Sequence, residues 1–228
     1  MTTEFIFPAT PEHSVSAIFS QPEGASALLI LAHGAGADMR HHHMAALADA
    51  LGRSGIATLR FNFPFKESGG TRTDKPSVCV ETIDSAVQQA RARNHLNLPV
   101  FAGGHSFGGR MSSHFAAENP GTPIQGLVFF SFPLHPSKKP DVKRAAHLKD
   151  VTHPMLFLSG TRDDLADPEL MDRVTDPMPD AKTHWLDTAD HSFKILKRSR
   201  KSDENVYDEA ARITTEFINS LIDVQPGH

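Results

Sequence analysis

Two rhythms of apolar residues alternate along this chain. The first is the short uninterrupted run. Ala27-Leu28-Leu29-Ile30-Leu31-Ala32 contains no polar residue, the pattern of a strand buried on both faces. Ile56 to Phe61, Pro99 to Ala102, Gly126 to Phe130, Met155 to Leu158 and Thr183 to Leu186 repeat it less purely. The second rhythm is helical. Met44, Leu47, Ala48 and Leu51 share one face and are closed off by Gly52 and Gly55; Val80, Ile83, Val87 and Ala90 share another. Further helices are predicted from Arg110 to Glu118, from Pro168 to Val174 with proline in the first turn, and along Val206, Ala210, Ile213, Phe217 and Leu221. Phe5 to Phe7 and Val15 to Phe19, separated by Pro8 and Pro11, predict an antiparallel pair at the start.

Strands alternating with helices predict an α/β fold with a mostly parallel sheet. The elements occupy nearly all of residues 1–228, with no repeat and no dividing linker, so one domain is expected. The long irregular stretches, 62–77, 131–140 and 187–203, are too short to fold as a lid domain. They are expected to rim an open, shallow site.

The ends of the runs carry the chemistry. Gly104-His105-Ser106-Phe107-Gly108 fits Gly-x-Ser-x-Gly at a strand-to-helix junction, where such a turn holds a serine hydroxyl exposed. A serine needs a base, and the base needs an orienting acid. Asp163 follows the strand ending near Leu158, and His191 follows the strand ending at Leu186. Both fall at C-terminal strand ends, where open α/β sheets bind ligands. His191 is expected to take the proton from Ser106, and Asp163 to hold the His191 tautomer. Asp164 and Asp167 are rivals for the acid role, although Asp167 before Pro168 also reads as a helix N-cap. An oxyanion would be held by the amide of Phe107 and by one from His33-Gly34-Ala35-Gly36, with Ala35 the expected donor.

Around this centre His33, Gly34, Phe63, Phe65, Phe132 and His135 are candidates for substrate contact. His33 is expected to orient the oxyanion loop; His135 fits loop packing equally well. His105 should face away from the site or pack beside the elbow. His41-His42-His43 would diverge by about 100° per residue on a helix and so cannot converge on one metal; a solvated helix start is expected. Lys194, Lys197, Arg198, Arg200 and Lys201 read as a solvated basic face that could also attract an anion.

Charge and cysteine content narrow the partners. Lys plus Arg is 23 and Asp plus Glu is 27, a net −4, which argues against nucleic acid as a partner. One cysteine, Cys79, excludes an intrachain disulfide and any cysteine-based zinc site. No apolar run approaches the roughly 20 residues of a membrane helix, and the N-terminus lacks a signal-peptide pattern. A cytoplasmic protein is expected, monomer or homodimer, without metal or cofactor: there is no Gly-x-Gly-x-x-Gly turn and no metal-ligand spacing.

The elbow, the His-Gly loop and the Ser-Asp-His order together resemble the α/β-hydrolase superfamily, over residues 27 to 194. Gly109-Arg110-Met111, Phe132-Pro133-Leu134-His135-Pro136 and Asp190-His191-Ser192-Phe193-Lys194 are similar to a small branch related to dienelactone hydrolases, whose eukaryotic relatives include chromatin-complex subunits. The resemblance implies an eight-stranded, mostly parallel sheet with helices on both faces. Dienelactone hydrolases proper use cysteine as nucleophile where this chain has Ser106, so their substrate does not transfer. The expected activity is serine-dependent cleavage of a small ester or thioester. The alternative is a binding or scaffold protein on the same fold.

Overall fold

The apolar runs become the parallel strands of one sheet. In the computed structural model, which describes residues 1–222, the strands are β1 (Thr2–Thr10), β2 (His13–Ser20), β3 (Ala27–Ala32), β4 (Ile56–Phe61), β5 (Val100–His105), β6 (Leu127–Phe130), β7 (Met155–Gly160) and β8 (Ala181–Leu186). Their order is β1-β2-β4-β3-β5-β6-β7-β8. β2 is antiparallel to both its neighbours; β4, β3, β5, β6, β7 and β8 run parallel. Every residue of β3 and β4 is buried, whereas the edge strands β1 and β8 keep partly exposed positions. This is the eight-stranded, mostly parallel α/β sheet that the resemblance implied, and the described residues form no separate lid domain.

Side-chain alternation divides the core between the two faces of the sheet. Leu28 and Ile30 pack on one side with α3 (Pro76–Arg93) and α4 (Phe107–Glu118). Leu29 and Leu31 pack on the other with α1 (His42–Arg53) and α6 (Val206–Ile222). A short helix, α2 (Pro64–Glu67), interrupts the stretch 62–77, where a plain loop was expected; Pro64 supplies its first-turn φ. Its Glu67 accepts from Ser16 and Asn62, which fastens it to β2. Helix α5 (Pro168–Thr175) is capped by Asp167, whose carboxylate accepts from the Leu170 amide at 3.1 Å. No described helix is long and apolar enough to cross a membrane.

The segment 187–203 is tied down as well. The Arg200 guanidinium is buried and pairs with Glu209 of α6, while its Nη1 donates to the Asp187 carbonyl. Arg200 therefore leaves the solvated basic face expected of its neighbours. Its partner is nine residues downstream, on the next helix, where no local pattern announces it. Glu209 also accepts from, or pairs with, His184 Nε2 at 2.9 Å.

Candidate active site

Strand β5 runs almost directly into α4, where residues 103–109 were expected to connect a strand ending at Ala102 to a helix starting near Arg110. Ser106 alone makes the turn and is the N-cap of α4, with φ 51° and ψ −116°. A non-glycine residue in that region is strained, and such strain persists only where packing enforces it. The enforcement comes from the two glycines of the motif. A Cβ on Gly104 would lie 2.2 Å from the Ala32 carbonyl oxygen, and one on Gly108 would lie 2.4 Å from the same oxygen. Both glycines thus let β5 and α4 close around the end of β3.

The parallel sheet brings the C-terminal ends of β5, β7 and β8 to one edge, and three side chains meet there. His191 Nε2 lies 2.8 Å from Ser106 Oγ. His191 Nδ1 lies 2.8 Å from Asp163 Oδ2 and 2.9 Å from Oδ1. The Asp163 side chain is fully buried, while the His191 ring keeps some exposure. Asp163 Oδ1 also accepts from the Leu165 amide at 2.9 Å. The rival acids are engaged elsewhere. Asp164 is exposed and accepts from Ser137 Oγ, and Asp167 caps α5.

His33 fixes the turn after β3. Its Nδ1–H donates to the Gly34 carbonyl at 2.8 Å, and its Nε2 accepts from the Phe63 amide at 3.0 Å. These partners specify the neutral tautomer with hydrogen on Nδ1. The Gly34 carbonyl accepts again from the Ala37 amide at 3.0 Å. Because a trans peptide is planar, fixing this carbonyl also fixes the following amide, that of Ala35, pointing the opposite way. Among the described residues neither the Ala35 amide nor the Phe107 amide has an acceptor.

Burial pushes the His33 imidazole down from 6.5 to about 4. That shift has a consequence for stability. Above pH 6.5 the residue is neutral in both the folded and the unfolded chain. Below it, the unfolded chain takes up a proton that the folded chain refuses, until about pH 4. His33 alone is expected to cost about 1.4 kcal/mol of stability per pH unit across that window. His43 and His105, lowered to about 2 and about 4 chiefly by burial, act in the same sense. Urea denaturation at pH 7, 6 and 5 measures this; a stability unchanged from pH 7 to 5 would contradict a buried neutral His33.

The remaining candidates lie deeper than a substrate wall. Phe63 and Phe132 are fully buried, Phe65 is 4% exposed and His135 is 3% exposed. Phe63 and Phe65 pack beneath the His33 and Phe107 rings, at 5.0 to 6.2 Å between centroids. Phe132 stands between Phe129 and Phe157 in the core. His135 takes the loop-packing role: Nδ1–H donates to the Pro136 carbonyl and Nε2 accepts from the Asp167 amide. Gly34 lies against the elbow, where a Cβ would meet His105 Nδ1 at 3.0 Å. Cys79 is buried, and burial raises its thiol to about 12.

His43 is the clearest departure from expectation. It is 2% exposed, not solvated, and its Nδ1 lies 3.0 Å from the Tyr207 hydroxyl. The signal was present in the spacing: His43 shares the face of Leu47, Ala50 and Leu51, all buried.

A family model described as an alpha/beta hydrolase domain matches residues 25–219. Solved structures share the fold at low identity. Dienelactone hydrolase from Anabaena variabilis superposes with a TM-score of 0.73 at 20% identity, over 96% of this chain and 98% of that one. XC6422 from Xanthomonas campestris, described as an a/b serine hydrolase without lid, gives 0.71 at 18%, over 99% and 97%. The esterase domain of a Rhodothermus marinus protein gives 0.69 at 16%, over 97% and 99%. The matched residues include the elbow, the turn after β3 and the Ser106, Asp163 and His191 cluster, and the chain belongs to the alpha/beta hydrolase domain family.

Proposed function

We propose that this protein is a serine hydrolase acting on small esters or thioesters. The observation that carries the reading is the continuous hydrogen-bonded series from Ser106 Oγ through His191 to Asp163, with the serine held at φ 51°. His191 Nε2 removes the hydroxyl proton as Oγ attacks the substrate carbonyl. The carbonyl oxygen gains the negative charge, which the Phe107 and Ala35 amides stabilise. Preorganised donors of this kind contribute about 3 kcal/mol each to the transition state. As the tetrahedral centre collapses, His191 returns the proton to the leaving alkoxide or thiolate. Water then attacks the acyl-serine by the same route, and Ser106 is restored.

Two features favour an ester over a larger substrate. Residues 62–77 and 187–203 are fastened to the body of the protein, which supports an open site suited to a small substrate. The names of two fold neighbours, a dienelactone hydrolase and an esterase domain, agree with ester chemistry.

The test is turnover of p-nitrophenyl esters and acyl thioesters of graded chain length, together with fluorophosphonate labelling located by mass spectrometry. Turnover with an adduct on Ser106 is the expected result. A folded protein that gives neither would overturn the reading and favour a binding or scaffold role.

A further inference from the structure

His191 stands on a small turn, and that turn has a built support. Asp190 Oδ1 accepts from the Ser192 and Lys194 amides at 2.9 and 3.0 Å, and the Asp190 amide donates to the Lys194 carbonyl. Phe193, at φ 62° and 3% exposed, drives its ring downward to within 5.1 Å of the His43 ring and 5.8 Å of Tyr207. Beside it, His105 Nε2 lies 3.0 Å from the His191 carbonyl oxygen. A carbonyl only accepts, so this nitrogen carries the hydrogen. The His105 ring in turn meets the His43 ring edge-on at 4.3 Å, and His43 Nδ1 meets the Tyr207 hydroxyl at 3.0 Å. The support therefore draws one residue from β5, one from α1 and one from α6.

We infer that His105 is a positioning residue for His191, donating from Nε2 to the His191 carbonyl, with His43 and Tyr207 holding His105 in place. The proposal rests on His191 acting as the base toward Ser106. Asp163 grips the imidazole at Nδ1, and the ring's other hydrogen bond goes to the reacting hydroxyl of Ser106, so the ring can pivot about Nδ1 as that bond changes. A second grip, on the backbone of the same residue, removes the pivot and sets the distance from Nε2 to Ser106 Oγ. His105 is suited to the task because it is the residue next to the nucleophile: one strand end fixes both the attacking oxygen and the base. Burial keeps His105 and His43 neutral. A neutral ring 5.3 Å from His191 places no like charge beside the cation that forms there. The histidine at position 105, and one of the three histidines at positions 41 to 43, thereby acquire a physical role.

Two substitutions separate hydrogen bonding from packing. His105→Leu removes the donor. His105→Gln restores one, since the glutamine amide nitrogen lies about as far from Cβ as Nε2 does. On a p-nitrophenyl ester, His105→Leu is expected to lower kcat by at least about tenfold with KM within twofold, as small displacements of a catalytic group do. His105→Gln should return kcat to within about threefold of wild type, and Tyr207→Phe should cost a few-fold. The fluorophosphonate labelling rate should follow kcat. Hydrogen exchange of the peptide spanning 187–197 gives a second reading that needs no turnover: it should quicken in His105→Leu and recover in His105→Gln. Equal kcat in His105→Leu and wild type, equal loss in the Leu and Gln variants, or unchanged exchange would each overturn the proposal. An inactive wild type whose exchange still responds as expected would instead count against the hydrolase reading alone.

Discussion

Replacing Ser106 by alanine is expected to lower kcat on a p-nitrophenyl ester by at least about 10⁴-fold, with KM little changed. The size follows from the proposed covalent route, in which Ser106 is the nucleophile and His191 the base. Without Oγ no acyl-enzyme forms, and His191 Nε2 loses the group 2.8 Å away whose proton it takes. Loss of the nucleophile in comparable triads costs about 10⁶ in kcat, and oxyanion donors with binding alone leave about 10³ over water. Those donors are backbone amides, so the substitution leaves them in place. The chain's one cysteine cannot substitute: Cys79 is buried in α3 with its thiol raised to about 12. Alanine inherits the strained φ of 51° but makes no new contact, so the melting temperature should stay close to wild type. Retention of more than about 1% of kcat, with contaminating esterase excluded by active-site titration, would remove Ser106 from the mechanism.

What the sequence made legible was whatever depends on neighbours along the chain. The run Ala27 to Ala32 had to be an interior strand because no residue in it could face water, and it is buried throughout. The elbow was legible because its two glycines answer one local demand, passage around the Ala32 carbonyl. Asp163 and Asp164 were harder to separate, since both follow β7. The difference lies in a tight turn, where the Asp163 amide donates to the Gly160 carbonyl and the Leu165 amide returns to Asp163 Oδ1. Least legible were properties of packing between layers. Phe63, Phe65 and Phe132 sit near strand ends, which suited a pocket wall, but whether an aromatic ring at such a place faces solvent depends on what covers it. Arg200 likewise owes its burial to Glu209, on a different element.

Asp163→Asn carries the second large expectation, a fall of about 10⁴ in kcat at neutral pH with KM within a few-fold. The cause is the tautomer. In the native protein the Asp163 carboxylate accepts from His191 Nδ1–H, which leaves Nε2 unprotonated and ready for the serine proton. An asparagine has one oxygen and one amide nitrogen to place. The Leu165 amide, 2.9 Å from Oδ1, demands the oxygen, so the amide nitrogen must take the position of Oδ2, 2.8 Å from Nδ1. The oxygen at the Oδ1 position, 2.9 Å from Nδ1, is shared with the Leu165 amide, while the amide N–H points at Nδ1 from the nearer position; this favours Nδ1 as acceptor and the hydrogen on Nε2, where it blocks proton transfer from Ser106. Volume and shape are conserved, so the buried site should stay folded, and thermal melting checks that directly. Asp164→Asn is the matched control. It differs by one position in sequence, meets Ser137 at the surface and acts on His191 only through space, so its kcat should stay close to wild type. The paired measurement decides the acid role: loss in Asp163→Asn alone assigns it to Asp163, whereas loss in Asp164→Asn alone would transfer it to the neighbour.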